Sequence, residues 1–303
     1  MNYELSAPQH LVSLASSCLI VSVEVNVWTA TKRDKTISNE VTTAKGAVAD
    51  AGDFTKRLLA NCAEHKALLN YRQTVYNWLQ RCTFDWAGSH RIIPVYQLEK
   101  FNKEFAQHET AFNDLREKFI AAYPGLVSDA AFKQGSMFDR SEYPEVEEVM
   151  GKFRIKKFIT QVPANDFRSG GIAEAMAEDL KQHYEAQTKD LIDGIMQDAT
   201  ERLVSMAERL RNACDEVQAD DEGKVKRKRI YESTFDNVRE MIELLKHFNL
   251  TNNPALEDAR IKLDEALRDT TLETLRESAF ARATVRDDLD DVLSKFKPLN
   301  IKE

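Results

Sequence analysis

The residues that decide the fold are IDGIMQDATERLVSMAERLRNACDEV, Ile192–Val217. Apolar residues recur in this stretch at alternating steps of four and three, as at positions a and d of a heptad repeat; they are Ile192, Met196, Ala199, Leu203, Met206, Leu210, Ala213 and Val217. A partner helix must cover such a seam, because exposed apolar surface is unfavourable in water. A helix over Ile172–Val217 would extend about 70 Å at about 1.5 Å per residue. The stretch therefore predicts an elongated, mostly α-helical protein.

The segment after this helix predicts a reversal of the chain. Residues 218–223, QADDEG, are polar and end in a glycine, which is typical of a turn. A return helix over about Val225–Phe248 has apolar residues at steps of three, four and three, at Val238, Met241, Leu245 and Phe248. We expect the two helices to form a long antiparallel, coiled-coil-like hairpin.

The C-terminal residues predict two further helices. Asn253-Pro254 combines a capping residue with a proline, which is tolerated in the first helical turn. Thr270 and Glu273 have the spacing of a capping box, which predicts a last helix that extends to Phe296.

The N-terminal half predicts a helical bundle. Residues 97–122 contain a second heptad seam: Leu98, Phe101, Phe105, His108, Phe112, Leu115, Phe119 and Ala122. Tyr123-Pro124-Gly125 predicts its end. Asp53 predicts the N-cap of a helix that reaches Cys82, and the polar residues 32–48 predict another helix with a break at Gly46.

Two stretches predict strands. Residues 19–28 alternate valines and other apolar residues with Ser22, Glu24 and Asn26, and residues 153–162 are FRIKKFITQV. An isolated strand is unstable, so we expect the two to pair as a small two-stranded β ribbon. Residues 91–94, RIIP, predict a connector, because proline disfavours helix at the residue before it.

These elements predict two domains. Residues 1–168 would form the helical bundle with the β ribbon, and residues 169–303 would form the long helical hairpin and the C-terminal helices. The fold class is mostly α.

Composition limits the function classes. The 303 residues have a net charge of -8, with 30% charged residues and a mean hydropathy of -0.48. This acidic balance argues against whole-surface attraction to nucleic acid or to an anionic membrane. Four cysteines without paired spacing predict a reduced, cytoplasmic protein. We expect no signal peptide and no membrane span.

No residue pattern predicts catalysis. Cys62-x-x-His65 with Cys82 and His90 lacks the closely spaced second pair of a structural zinc site, so helix packing is the preferred interpretation. His108 lies within an apolar seam, which favours a core histidine over a ligand or proton relay. We therefore predict no catalytic residue, no metal and no cofactor.

Two charged clusters allow alternative interpretations. Lys224, Lys226, Arg227, Lys228 and Arg229 could contact phosphate or an acidic partner. They follow Asp220-Asp221-Glu222, so a solvated hairpin tip is the simpler interpretation.

The acidic pairs Asp287-Asp288 and Asp290-Asp291 predict a solvated helix face rather than catalytic carboxylates. Gly170-Gly171 precedes a helix without forming a standard nucleotide-binding motif.

Three stretches resemble a family of bacterial and phage proteins catalogued as domain of unknown function 3150. They are VWTATK with Asp34-Lys35 (27–35), YPEVEEVMGKF (143–153) and VPANDFR (162–168). The resemblance spans about residues 19–295. It implies no reaction, cofactor or active site, but members are often encoded near ring-forming ATPases similar to the MoxR and CobS types. Asp166, Phe167 and Arg168 match the family pattern and are candidates for a partner contact or for a structural role in their loop.

The sequence thus predicts a non-enzymatic interaction or adaptor protein of a phage or bacterium. It would act in the cytoplasm of the bacterial host, in an assembly with a ring-forming ATPase or with itself. One alternative is a DNA-metabolism accessory protein that binds nucleic acid through the basic run. The other is a structural component of the phage virion.

Overall fold

The computed structural model describes residues 14–162, 174–217, 226–250 and 253–296. This part of the chain is mostly helical, which confirms the predicted fold class at that level. Its strands and helices are, in chain order, β1 (Cys18–Asn26), β2 (Thr31–Asp34), α1 (Lys35–Ala44), β3 (Phe54–Arg57), α2 (Ala63–Cys82), β4 (Phe84–Asp85), β5 (Arg91–Pro94), α3 (Leu98–Gln134), α4 (Val146–Gly151), β6 (Arg154–Gln161), α5 (Glu174–Cys214), β7 (Glu216–Val217), β8 (Lys226–Arg227), α6 (Glu232–Phe248), α7 (Pro254–Arg268), α8 (Leu272–Glu277) and α9 (Ala279–Ser294).

The chain divides into two compact units. The sheet unit comprises Leu19–Thr83 and Ser89–Thr160. The helical unit comprises the described parts of Met1–Cys18, Phe84–Gly88 and Gln161–Glu303.

The two strands that the sequence predicted both lie in the sheet unit, and they are neighbours in its sheet. β5, β1 and β6 lie side by side in that order, so β1 and β6 are adjacent as predicted. The predicted two-stranded ribbon is wrong, because the expected connector, residues 91–94, is strand β5 on the other side of β1. All four of its residues are buried, and Pro94 occupies the end of the strand, where a missing N–H is tolerated.

A second antiparallel pair, β2 and β3, replaces part of a predicted helix. Thr31 lies opposite Arg57, and Asp34 lies opposite Phe54. Helix α1 begins only at Lys35, because the Asp34 carboxylate accepts hydrogen bonds from the backbone N–H groups of Thr36 and Ile37, each at 3.0 Å.

The predicted cap at Asp53 is also wrong. Asp53 precedes β3, and the next helix, α2, begins at Ala63. Its N-cap is Cys62, whose Sγ accepts a hydrogen bond from the backbone N–H of His65 at 3.4 Å.

Helix α3 does not end at Pro124 as expected but continues to Gln134. An internal proline costs roughly 3 kcal/mol. Tyr123, Val127 and Ala130 are all buried, and burying one large apolar side chain contributes about 1.5–3 kcal/mol. Continued burial therefore offsets the lost hydrogen bond. The next helix, α4, begins at Val146, two residues after Pro144.

Helix α5 is the long element of the helical unit. It packs against α6 and α9, and α7 packs against both of these helices. The chain reverses through β7 and β8, which pair antiparallel with Glu216 opposite Arg227. The return helix therefore begins at Glu232, later than the predicted Val225.

The buried face of α5 departs from the predicted heptad seam. It consists of Ile192, Ile195, Met196, Ala199, Leu203, Ala207, Leu210 and Cys214. Ala207 and Cys214 replace the predicted Met206 and Ala213, which are only half-buried. When Ile195 is left aside, the buried residues from Ile192 to Cys214 are separated by four, three, four, four, three and four positions. Each group of four, three and four makes an 11-residue repeat, with about 3.67 residues per turn.

The C-terminal helices confirm one predicted cap and change another. Asn253 accepts hydrogen bonds from the N–H groups of Ala255 and Leu256, and Pro254 lies in the first turn, as predicted. The N-cap of α8 is Thr271 rather than Thr270. The last predicted helix is two helices, because Ser278 ends α8 and caps α9.

Candidate interaction surfaces

Two of the three stretches that carry the family resemblance meet inside the sheet unit. The backbone N–H of Leu58 donates to the carbonyl of Ala30 at 2.8 Å, and the carbonyl of Leu58 accepts from the Tyr143 hydroxyl at 2.9 Å. The Tyr123 hydroxyl donates to the carbonyl of Pro144 at 2.9 Å, and its ring lies 6.1 Å from that of Trp28. These residues hold the unit together rather than line an open site.

The turn in the first stretch has an unusual backbone. Ala30 is 2% exposed and has a φ of 51°, a left-handed conformation that non-glycine residues seldom adopt. The hydroxyls of Thr29 and Thr31 lie 3.0 Å apart on either side of it. A buried alanine in this conformation indicates a turn that the surrounding contacts fix.

The third stretch after Val162, with its candidate contact residues Asp166, Phe167 and Arg168, lies outside the described residues, as do Gly170 and Gly171. Their proposed role therefore stays a prediction.

Three of the cysteine and histidine candidates, Cys62, His65 and Cys82, have structural roles, whereas His90 is exposed. His65 is 6% exposed, and its Nε2 lies 2.6 Å from the carbonyl oxygen of Trp28. Burial raises the pKa of the Cys62 thiol and raises that of Cys82 to about 12, so both stay protonated at neutral pH. Within the described ranges, no three potential ligands cluster as a metal site would require.

His108 belongs to a half-buried aromatic group. Its Nδ1 lies 2.9 Å from the Tyr71 hydroxyl, and its ring centroid lies 4.7 Å from that of Trp78. The Trp78 indole N–H donates to Glu104 at 2.6 Å. Burial lowers the pKa of His108, which Glu104 partly opposes and the cation of Arg81 reinforces. This environment favours the neutral imidazole.

The basic run is described from Lys226 onward, and Lys224 lies outside the described residues. The backbones of Lys226 and Arg227 form β8. The Lys228 ammonium donates to the carbonyl of Asn212 at 3.0 Å and lies 3.6 Å from the Asp215 carboxylate.

The backbone beside this run is held by a buried arginine. Arg282 is 3% exposed, and it donates to the carbonyls of Leu275 at 2.5 Å and Lys228 at 2.9 Å. Its Nη1 also lies 3.4 Å from the carbonyl of Ala213, in the last turn of α5. A cation at a helix C-terminus interacts favourably with the helix dipole. The start of the basic run is thus attached to the helical unit.

The acidic pairs of α9 are exposed, and Asp290 and Asp291 form ion pairs with neighbouring helices. Asp290 pairs with Arg211 of α5 at 2.9 Å, and Asp291 pairs with Lys262 of α7 at 2.7 Å. The hydrogen bond from Lys262 lowers the pKa of Asp291. Two carboxylates that each bind a separate cation do not form an acid–base pair.

Strand β6 has a largely exposed surface, which the sequence indicated only as a strand. β6 is the last strand in the order β5-β1-β6, and no strand among the described residues pairs with its other edge. Phe158 is 51% exposed and Ile159 is 37% exposed. Lys156, Thr160 and Gln161 are also exposed. We call Lys156–Gln161 the β6 edge surface.

No helix in the described ranges is long and apolar enough to span a membrane. Comparison with protein-family models, with curated proteins and with solved structures yields no match.

Proposed function

We propose that this protein is a non-enzymatic interaction protein of a phage or bacterium, which acts in an assembly with a ring-forming ATPase or with itself. The observation that carries this proposal is the β6 edge surface. The resemblance to the family found near such ATPases supports the choice of partner and a location in the cytoplasm of the bacterial host.

An open strand edge favours pairing with another chain. Its unpaired N–H and C=O groups are ready to form a further antiparallel or parallel ladder, and proteins commonly block such edges with charges, prolines or bulges. Arg154 and Lys156 lie at the start of β6, but Phe158–Gln161 contains no charge. A partner strand would gain backbone hydrogen bonds and cover two apolar side chains.

The proposal also includes the long antiparallel hairpin of α5 and α6. The contact between these helices and the reversal of the chain through β7 and β8 support it. A hairpin of this kind would give the assembly a second, helical surface.

The test is the solution mass of the purified protein by light scattering, alone and mixed with the ring-forming ATPase. We expect either a homo-oligomer or a gain of mass with the ATPase. Phe158→Lys should abolish the association, because it places a charge on the pairing edge. Phe132→Lys is the matched control, since Phe132 is 89% exposed on helix α3. A protein that stays monomeric under both conditions would contradict the proposal, and rings or tubes in electron micrographs would favour a virion component.

One observation supports nucleic-acid binding as a second candidate function. Arg229 lies 5.3 Å above the ring of Tyr231, which is 59% exposed, next to the exposed Lys228. Exposed aromatic and basic side chains together suit stacking on bases and contact with phosphates. Binding that weakens steeply with added salt and is lost in Lys228→Gln/Arg229→Gln would support this function.

A further inference from the structure

The β2–β3 pair presents one polar, basic face. Residues directly opposite in an antiparallel pair point to the same side of the sheet. The register places Thr31 opposite Arg57 and Arg33 opposite Thr55, so these four side chains share a face. All four residues are exposed, whereas Lys56 on the other face is buried. We call Thr31, Arg33, Thr55 and Arg57 the ribbon face.

The ribbon face alternates guanidinium and hydroxyl groups. Arg33 and Arg57 are diagonal neighbours, which places them about 7–8 Å apart. The Arg57 side chain has no partner in the part of the chain that the structure describes, and Arg33 forms an ion pair with Asp53. The exposed fractions of that pair are 58% and 50%, so solvent and ligands reach both groups.

The local charge differs in sign from that of the whole chain. Apart from Lys56, which is buried and paired with Glu142, residues 29–57 contain five basic and four acidic residues, a surplus of one positive charge in a chain of net charge -8. A basic surface on an acidic protein directs an anionic ligand to one place.

We propose that the ribbon face binds the phosphate backbone of a nucleic acid. Arginine forks and threonine hydroxyls are typical donors to phosphate oxygens, and such contacts carry no sequence information. An acidic polypeptide fits less well, because protein interfaces have an apolar or aromatic centre and the ribbon face has none. This site is separate from the β6 edge surface and from the basic run.

The first experiment removes the two guanidinium groups. Affinity of the full chain for a labelled DNA duplex of about 20 base pairs is measured between about 50 and 200 mM salt. The double variant Arg33→Gln/Arg57→Gln should bind at least about tenfold more weakly at the lowest salt, and the slope of log K against log salt should decrease by about two. The control is Arg209→Gln/Arg268→Gln, which removes the same charge from exposed helix positions; Arg268 is 61% exposed and pairs with Asp264, much as Arg33 pairs with Asp53. The control should bind like the unmodified protein.

The second experiment should increase binding. Asp53→Asn removes a negative charge beside the ribbon face and releases Arg33 from its ion pair. Because an exposed ion pair contributes at most about 1 kcal/mol to stability, the variant should stay folded. We expect tighter binding to the same duplex, with an unchanged melting temperature.

Three results would overturn the proposal. The unmodified protein could fail to bind the duplex at the lowest salt. The ribbon-face variant could bind the duplex as well as its control does. If Lys228→Gln/Arg229→Gln then lost duplex binding, the basic run would be the binding site. Polyglutamate could compete as effectively as the duplex, which would assign the ribbon face to an acidic polypeptide.

Discussion

Lys56 shows how a single charge can be accommodated inside the sheet unit. It is 4% exposed, donates to the carbonyl of Met137 at 2.6 Å and forms an ion pair with Glu142. Lys32 lies directly opposite on β2, and like charges at such positions repel. Glu142 therefore compensates a cation that neither water nor a neighbouring strand can stabilise.

We predict that Lys56→Met destabilises the protein by about 3 kcal/mol, because it leaves the largely buried Glu142 carboxylate unpaired. The double variant Lys56→Met/Glu142→Leu should recover most of this loss, since a buried ion pair can be replaced by apolar residues at little cost. Urea denaturation of both single variants and the double variant gives the coupling energy. A double variant as unstable as the sum of the single variants would show that the two residues do not interact.

His108 is the residue whose protonation should affect stability. Its pKa in the folded protein lies below the ordinary value of 6.5, so the unfolded chain binds a proton more readily than the folded one. Stability therefore rises with pH through this range. The contribution is fully present above pH 6.5 and is lost as the pH falls through the lowered pKa.

We predict that His108→Gln loses less stability than the unmodified protein when the pH falls from about 7.5 to about 5.5. The measurement is the free energy of unfolding in urea at both pH values. His90→Gln, at an exposed position, is the control and should retain the pH dependence of the unmodified protein. An identical pH dependence in His108→Gln would mean that this histidine does not titrate differently on folding.

At the scale of the elements, the two long helices depart from the heptad in the same way. In α3 the buried position after Phe119 is Tyr123, not the predicted Ala122, and in α5 Ala207 replaces Met206. A straight α-helix drifts by about 20° per heptad relative to a strict 3.5-residue repeat. Over two or three heptads the drift reaches about 40–60°, roughly half of the 100° between consecutive residues, so the next residue along the chain then lies closer to the centre of the buried face.

This change of phase predicts which substitutions in α5 are harmful. Ala207→Gln should cost at least about 2 kcal/mol, because it forces a larger, polar side chain into a site that is 1% exposed. Met206→Gln should cost less than about 1 kcal/mol, because Met206 is only half-buried. Thermal unfolding of the two variants shows which of the two positions is in the core. A larger loss of stability in Met206→Gln than in Ala207→Gln would support the predicted heptad seam instead. Leu203 and Leu210 are buried in either phase and would not distinguish them.

The sequence predicted long elements better than short ones. The helical periodicity of α5 and α3 and the alternation of β1 are repeated many times, so local pattern suffices to find them. β2, β3 and β5 have only four residues each, TKRD, FTKR and RIIP, and two of them are mainly polar. Their strand conformation comes from pairing with distant residues, which no local pattern shows.

The same reason limits the prediction of sites. Lys56 and Arg282 are ordinary surface residue types, and only the folded chain surrounds them with carbonyls and a carboxylate. The ribbon face depends on the register of β2 with β3, which the predicted helix over residues 32–48 excluded. The basic run and the Cys62 and His65 pair were visible because their residues are close in sequence.

At the scale of the whole molecule, the path of the chain is the main feature. The chain leaves the sheet unit at Phe84 and returns to it at Ser89. The Arg91 side chain joins the two ends of this excursion, because its Nε donates to the Thr83 hydroxyl at 2.5 Å and its Nη2 donates to the Thr83 carbonyl at 3.1 Å. Five residues from the middle of the N-terminal half are thus part of the helical unit.

Phe84 should be important for the stability of the helical unit. It is fully buried, its ring stacks on that of Phe248 at 4.7 Å, and the Arg202 guanidinium lies 5.0 Å from it. We predict that Phe84→Ala costs about 3–5 kcal/mol, which is typical of a phenylalanine removed from a core. Phe132→Ala, at an 89% exposed site, should change stability by less than about 0.5 kcal/mol. Calorimetry of the two variants checks this, and equal unfolding temperatures would mean that Phe84 does not belong to the core.

The stacking of Phe84 on Phe248 also has a consequence for protein synthesis. The ribosome adds about 5–20 residues per second, so Phe248 leaves it roughly 10–30 s after Phe84. During that interval the sheet unit can already fold, since its last residue is Thr160. The burial of Phe84 is therefore completed in two steps during synthesis, first against helix α5 and Arg202 and only later against Phe248.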